Sequence, residues 1–171
     1  HPRTKVYFGT NQKQTITNDF PFPFVAKQAR GSSKGRHVFL IQNQGELEAY
    51  LSLGGPAYIQ EYLPIKKDMR VVVIGKEIRL AYWRKAGHGS FKTNLAQGGT
   101  IVFDPLPPEA LDLALHTAAQ CGWDDIGLDL VEHQGRFYVI EANIKYGTKG
   151  FVQAGIDYKQ MLETLIVEGR V

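Results

Sequence analysis

Residues 126–143, with the sequence IGLDLVEHQGRFYVIEAN, constrain the fold of this chain more than any other segment. Apolar and polar side chains alternate on both sides of a turn sequence, HQGR, which predicts two strands joined at Gly135. Side chains two apart on a strand share a face, so Glu141 and Asn143 should emerge together. Folding back about Gly135 should bring Asp129 opposite Glu141, with Cβ atoms about 4.5–5.5 Å apart.

The oxygen-bearing side chains of this predicted hairpin suit a hard cation. Carboxylate and amide oxygens are the ligands that Mg²⁺ prefers in proteins. We therefore predict that Asp129, Glu141 and Asn143 hold Mg²⁺. The alternative is an exposed strand face whose acidic residues are only solvated, since one face of an antiparallel sheet is commonly polar. The rest of the chain bears on this choice.

Composition excludes several other classes of protein. The 171 residues, 43% apolar and 22% charged, suit one domain or two small lobes. A net charge of +3 is too small to indicate a nucleic-acid partner. No apolar run is long enough to span a membrane, so we expect no membrane partner. The single cysteine, Cys121, excludes an internal disulfide. We expect it on the buried face of a helix in a cytoplasmic protein.

The order of strand and helix signals predicts an α+β fold with antiparallel sheets. Strands are predicted at 6–8, 24–29, 38–41, 57–63, 69–74 and 78–84. Helices are predicted at 43–53, at 107–121 and after 157. Asn43 and Asp157 should cap the first and last helices, and the last should bury Met161, Leu162, Leu165 and Ile166. Residues 85–99 and 146–155 are predicted as loops.

A glycine-rich basic segment, RGSSKGR at 30–36, lies between two predicted strands. Glycines let backbone N–H groups approach an anion, Ser32 and Ser33 add donors, and Lys34 adds charge. The segment therefore predicts a hairpin that folds over phosphates, the alternative being a solvated hairpin tip. It is not a Walker loop, because no Gly-Lys-Ser/Thr opens a helix after it.

The order of these motifs resembles the nucleotide-binding half of the ATP-grasp superfamily, most closely its RimK-type branch of glutamate-adding ligases. The ordered set is Lys27, Gln60-Glu61-Tyr62-Leu63, Asp68-x-Arg70, Lys92-Thr93-Asn94-Leu95, Asp129 and Glu141-x-Asn143. The resemblance covers residues 24–166. It implies two α+β lobes with antiparallel sheets that sandwich the nucleotide, a small lobe at about 21–62 and a large lobe at about 63–171. Residues 1–20 would then be an N-terminal extension or a remnant linker.

The resemblance also implies a role for each matching residue. The residues implied for the nucleotide are Lys27, Ser32, Ser33 and Lys34 on the hairpin, Gln60, Glu61, Tyr62 and Leu63 at the adenine edge, Asp68 at the ribose, and Thr93 near the phosphates. Asp129, Glu141 and Asn143 would hold the Mg²⁺ ions. The residues implied for catalysis are Arg70, Arg84, Lys92 and Asn94. The alternative for Arg84 is an ordinary arginine on a strand surface.

The implied chemistry is ATP- and Mg²⁺-dependent ligation of a carboxylate to an amine through an acyl phosphate, with Mn²⁺ as an alternative metal. The substrates would be a small-molecule or peptide carboxylate and an amino-acid amine. The alternative is a non-catalytic ATP-binding module of a larger protein or complex.

Three departures from the family pattern concern substrate handling and completeness. Ile144-Lys145-Tyr146-Gly147 stands where Ser-Pro-Gly is usual, and Lys92 stands where arginine is common. These ligases normally also carry a further N-terminal domain. We expect this domain to have been excised or to be supplied by a partner chain, the alternative being that the protein is a reduced ATP-binding module.

Overall fold

A computed structural model describes residues 1–28, 37–85 and 100–171. The chain divides into two compact units, His1–Pro64 and Ile65–Val171. Each unit has its own antiparallel sheet, and each sheet has helices packed against it. The predicted α+β class with antiparallel sheets is therefore confirmed.

The first unit is a four-stranded sheet with one well-capped helix and two short ones. Its elements are β1 (Thr4–Tyr7), α1 (Thr10–Lys13), α2 (Ile16–Asp19), β2 (Phe24–Gln28), β3 (Val38–Ile41), α3 (Gln44–Ser52) and β4 (Ala57–Glu61), and the strand order is β1-β4-β2-β3. The side chain of Asn43 accepts a hydrogen bond from the backbone N–H of Glu46 at 3.0 Å. The predicted helix cap is thus confirmed.

Residues 1–20, expected as an extension or a linker, belong to the first unit. Strand β1 pairs along its length with β4, and Tyr7, Ile16 and Phe20 are buried in the core of this unit. The segment lacks a helical or alternating apolar pattern, because its buried side chains come from one strand end and two short helices. The strand predicted at 6–8 overlaps β1, but its pairing with β4, some 50 positions later, is what makes it part of the first sheet.

The second unit is a five-stranded sheet with helices on both faces. Its elements are β5 (Lys67–Ile74), β6 (Glu77–Lys85), β7 (Thr100–Val102), α4 (Pro108–Cys121), β8 (Asp125–His133), β9 (Arg136–Asn143), α5 (Lys149–Gln153) and α6 (Tyr158–Val167). The strand order is β7-β6-β5-β8-β9. In the described part of the chain, none of the helices is both long enough and apolar enough to span a bilayer.

The two faces of this sheet carry different side chains, because residues alternate along each strand. One face packs against α4 through Met69, Val71 and Leu128. The other packs against α5 and α6 through Val72 and Ile74. Asp68 and Arg70 share the strand parity of Val72, so they lie on the face that α5 and α6 cover. The fold thereby places charged side chains on a largely apolar surface.

Two burial predictions were wrong. Cys121 is exposed, because the buried row of α4 runs through Ala110, Ala114 and Ala118 and next reaches Gly122, which ends the helix. Ile166 is 63% exposed, although its neighbour Leu165 is buried.

Helix α5 also lies where a loop was expected, in residues 146–155. Its Gly150 suggested a loop, but here the missing side chain allows close packing. A Cβ at this position would lie 2.4 Å from Cε1 of Tyr82.

Candidate active site

The acidic hairpin forms as predicted. Gln134 and Gly135 have φ angles of 52° and 72°, so both turn residues are left-handed, as a two-residue hairpin turn requires. Asp129 pairs with Glu141, and Gly127 pairs with Asn143. The three oxygen-bearing residues therefore lie on the same face of β8 and β9, as the sequence predicted.

The carboxylate of Asp129 on β8 is held by two arginines, one on the adjacent strand and one on the strand beyond it. Arg70 on β5 donates from Nε to Oδ1 and from Nη2 to Oδ2, the second contact at 3.1 Å. Arg84 on β6 places Nη2 2.9 Å from the same Oδ2. Asp129 is only 4% exposed. The sequence did not predict these pairings, although the match of Arg70 with Asp129 follows once the register of β5 and β8 is known.

Asp68 completes the charge network. It accepts from Arg84 through both carboxylate oxygens, with Nε 2.8 Å from Oδ1. Burial by itself would lower the pKa of Arg84, but the charges of Asp129 and Asp68 and their hydrogen bonds raise it above its ordinary value. Arg84 therefore stays charged. Two arginines and two aspartates face one another in a site where each is at most 6% exposed, and an unmatched buried charge there would be costly.

Glu141 and Asn143 are more accessible than Asp129. Glu141 is exposed, and Asn143 is half-buried with Nδ2 3.4 Å from Oδ2 of Asp129. The amide of an asparagine can turn over to present its oxygen instead. Across the described ranges, no cluster of three or more His, Cys, Asp or Glu side chains could hold a metal. Asp129, Glu141 and Asn143 together offer two carboxylates and one amide, and such oxygen ligands fit Mg²⁺.

Tyr146 is a further member of the site that the sequence did not reveal. Its carbonyl oxygen accepts from Nη1 of Arg70 at 2.9 Å. Its hydroxyl donates to Oδ1 of Asp125 at 2.7 Å, and burial together with this bond and one to Tyr158 raises its pKa. The only sequence signal was the departure from Ser-Pro-Gly after Asn143.

The first unit carries the residues expected at the adenine and phosphates. Lys27 lies in β2, with Nζ 5.4 Å from the ring centroid of Tyr58. In β4, Gln60 is buried and donates to Oγ1 of Thr4, and Glu61 accepts from the backbone N–H of Arg3 at 2.7 Å. Two more expected residues, Tyr62 and Leu63, follow β4 and are partly buried. Their nucleotide roles remain predictions.

Six predicted site residues lie outside the described residues. They are Ser32, Ser33 and Lys34 in the glycine-rich segment, and Lys92, Thr93 and Asn94 in the segment before β7. Their assignment also remains a prediction.

Comparison with protein families identifies the fold and the family. A model of the RimK-like ATP-grasp domain matches residues 1–166. The chain therefore belongs to the RimK-like ATP-grasp family, and the resemblance seen in the motif order is confirmed. The match includes the first 20 residues, in agreement with the place of β1 in the first sheet.

Individual relatives are ligases and synthases. The chain is 33% identical to beta-citrylglutamate synthase B of Danio rerio over 166 residues, which is 91% of this chain and 41% of that protein. It is also 33% identical to the coenzyme gamma-F420-2:alpha-L-glutamate ligase of Methanococcus maripaludis, over 88% of this chain and 54% of that one. The chain thus spans about half the length of these relatives.

A solved structure with the same fold is that of the ATP-grasp ligase PsnB complexed with a phosphomimetic variant of its minimal precursor, Mg and ADP. The TM-score is 0.73 at 20% identity, over 99% of this chain and 53% of that one. At this identity the likeness shows the fold alone. The ATP-grasp fold expected from the motif order is confirmed.

Proposed function

We propose that this chain is the ATP-binding part of an ATP- and Mg²⁺-dependent carboxylate–amine ligase that acts through an acyl phosphate. The observation that carries the proposal is the alignment of Asp129 and Glu141 across one hairpin, beside two buried arginines, in a RimK-like chain. A substrate carboxylate attacks the γ-phosphate of ATP to give an acyl phosphate and ADP. The amine then displaces phosphate and forms the C–N bond.

The oxygen trio is assigned to Mg²⁺. Asp129, Glu141 and Asn143 would hold the ion, which supplies positive charge to the nucleotide phosphates as the phosphoryl group moves. Asp129 is engaged by arginines in this structure, so metal binding requires it to share or exchange those contacts. Mn²⁺ suits the same ligands.

The arginines are assigned to the developing negative charge. Arg70 and Arg84 are fixed by several hydrogen bonds each, and such preorganised charge stabilises a transition state without reorganising. Because both oxygens of Asp68 already accept from Arg84, we assign Asp68 to holding this arginine instead of the ribose. Lys27 and Glu61, with the residues near them in the chain, keep the nucleotide roles that the family resemblance implies.

The substrates are proposed from the names of the relatives. One relative is an alpha-L-glutamate ligase, and the PsnB structure contains a precursor, which together support an amino-acid amine and a small-molecule or peptide carboxylate. Because the reaction consumes ATP, we place it in the cytoplasm.

The first test is calorimetric titration with a non-hydrolysable ATP analogue, with Mg²⁺ and with EDTA. We expect saturable binding that Mg²⁺ strengthens. ADP release is then measured with a panel of amino acids and carboxylates. Failure to bind the analogue under both conditions would contradict the proposal. Binding without ADP release for any substrate pair would favour a non-catalytic nucleotide-binding module.

A further inference from the structure

The backbone of the segment after β9 forms part of the charge network. Arg70 directs two of its nitrogens to Asp129, and the third, Nη1, donates to the carbonyl oxygen of Tyr146 at 2.9 Å. All three guanidinium nitrogens are therefore engaged, which fixes the plane of the group. Neither of its partners lies on β5 itself, so the orientation of Arg70 depends on where the chain places residue 146.

The ring of Tyr146 is held against the sheet by a glycine. A Cβ on Gly127 would lie 2.4 Å from Cβ and 2.8 Å from Cγ of Tyr146, so only glycine allows this approach. Gly127 is the cross-strand partner of Asn143 and lies two residues before Asp129, on the same face of β8. The ring thus covers the strand immediately beside the proposed metal ligands.

The hydroxyl of Tyr146 anchors the residue at its other end. It donates to Oδ1 of Asp125 at 2.7 Å and lies 3.2 Å from the hydroxyl of Tyr158 at the start of α6. Tyr158 also packs edge-on against Phe151 of α5, with ring centroids 5.0 Å apart. The position of the Tyr146 carbonyl is therefore set by contacts to a strand end and two helices.

We propose that Tyr146 is a positioning residue of the active site: its anchored side chain fixes its carbonyl, which orients Arg70 and, through Arg70, the carboxylate of Asp129. This inference rests on the proposed function of Asp129 as a Mg²⁺ ligand. Tyr146 lies in the segment that departs from the usual Ser-Pro-Gly pattern, and the proposal assigns this residue the role of orienting Arg70. Groups that orient metal ligands typically change metal affinity on the order of 10- to 100-fold when they are lost.

The variant Tyr146→Phe removes both hydroxyl contacts and keeps the ring over Gly127. The experiment titrates Mg²⁺ into the chain saturated with a non-hydrolysable ATP analogue, and separately titrates the analogue in EDTA. We expect the apparent Mg²⁺ affinity to fall about 10-fold, which is the low end of the range for groups that orient metal ligands. The affinity for the ATP analogue measured in EDTA should not change. A purely structural role would lower thermal stability and leave the Mg²⁺ affinity at the parent value.

Two further variants separate the possible outcomes. Tyr138→Phe, in β9 of the same hairpin, is the matched control and should keep the parent Mg²⁺ affinity. Asp125→Ala removes an acceptor of the Tyr146 hydroxyl at an exposed position, and should weaken Mg²⁺ about threefold, as expected for one net hydrogen bond. If Tyr146→Phe does not fold, the Mg²⁺ affinity of the Asp125→Ala variant tests the proposal instead.

Parent Mg²⁺ affinity in both the Tyr146 and the Asp125 variants would overturn the inference and leave the proposed function standing. If the parent chain itself shows no Mg²⁺ dependence of analogue binding, the proposed function fails first. The two failures are therefore distinguishable.

Discussion

Asp129 and Glu141 lie directly opposite each other in neighbouring antiparallel strands, yet one is buried and the other is exposed. Their substitution should therefore have different consequences. Glu141→Gln should remove most of the Mg²⁺ enhancement of nucleotide binding with little change in stability, because surface substitutions usually stay within about 0.5 kcal/mol. Titration with and without Mg²⁺ and urea unfolding measure the two effects.

The matched control is Glu132→Gln, an exposed acid on β8 of the same hairpin. It should leave both measurements unchanged. Equal Mg²⁺ enhancement in the Glu141 and Glu132 variants would show that Glu141 is not a ligand.

Asp129→Ala should lower both metal binding and stability. The substitution leaves the guanidinium of Arg70 without its carboxylate partner and takes one of two carboxylates from Arg84. Breaking a buried ion pair by removing one partner costs about 3–5 kcal/mol. Urea unfolding of the variant measures this loss, and an unchanged unfolding midpoint would show that the network does not stabilise the fold.

The pair Asp68 and Arg84 allows a double-mutant cycle. Asp68→Ala alone should destabilise by about 3–5 kcal/mol, because it leaves a buried arginine with one carboxylate fewer. Combining it with Arg84→Met should cost less than the sum of the single variants, because no guanidinium remains to be paired. Urea unfolding of the four proteins gives the coupling energy. Strict additivity would mean that the two side chains do not interact.

The sequence was sufficient to predict the acidic hairpin of β8 and β9 because every signal there is local. Alternation, the Gly135 turn and a two-residue spacing determine which side chains share a face. The ion pairs of Asp129 could not be predicted in this way. They depend on β8 lying beside β5 and β5 beside β6, an order that no local pattern encodes.

Predictions that involve glycines were confirmed at one position and wrong at another. Gly122 ends α4 with φ of 66°, in agreement with the helix predicted to end at residue 121. Gly150 lies inside α5, where it allows Tyr82 to approach, and a sequence pattern cannot distinguish this use from a loop. Tyr146 was missed for a related reason, since the contact that matters is made by its backbone carbonyl.

Two hairpin glycines with left-handed backbones should respond differently to alanine. Gly135→Ala meets open space and should cost about 1–2 kcal/mol, the strain of a left-handed non-glycine residue. At Gly75 a Cβ would also lie 2.1 Å from the backbone oxygen of Arg170. Gly75→Ala should therefore cost a further 1–3 kcal/mol or so, as overpacking does.

Urea unfolding of both alanine variants measures the difference. Deleting Arg170 and Val171 in the Gly75→Ala background should recover the additional loss, because the clashing groups are then absent. Equal costs at both glycines would show that the C-terminal residues do not pack on the turn between β5 and β6.

Asp19 should make the first unit sensitive to acid. Hydrogen bonds from Lys5 and Tyr7 lower the pKa of its carboxyl below the ordinary value. A carboxyl whose pKa is lower in the folded state stabilises the fold above its unfolded pKa, about 3.9, and loses this contribution as the pH falls through the folded value. Asp19→Asn should therefore be less stable than the parent at pH 7, and the gap should close progressively below about pH 4.

Thermal unfolding of the parent and the variant across this pH range measures the gap. Asp112→Asn, at an exposed position on α4, is the control and should track the parent at every pH. Burial and the hydrogen bond to Asp19 raise the pKa of Tyr7, so its hydroxyl stays protonated and keeps donating throughout the range. The pH dependence of the stability difference between the parent and Asp19→Asn is then caused by the titration of Asp19 alone. A parent–variant gap of the same size at pH 3 and pH 7 would show that the carboxylate is not stabilised by Lys5 and Tyr7.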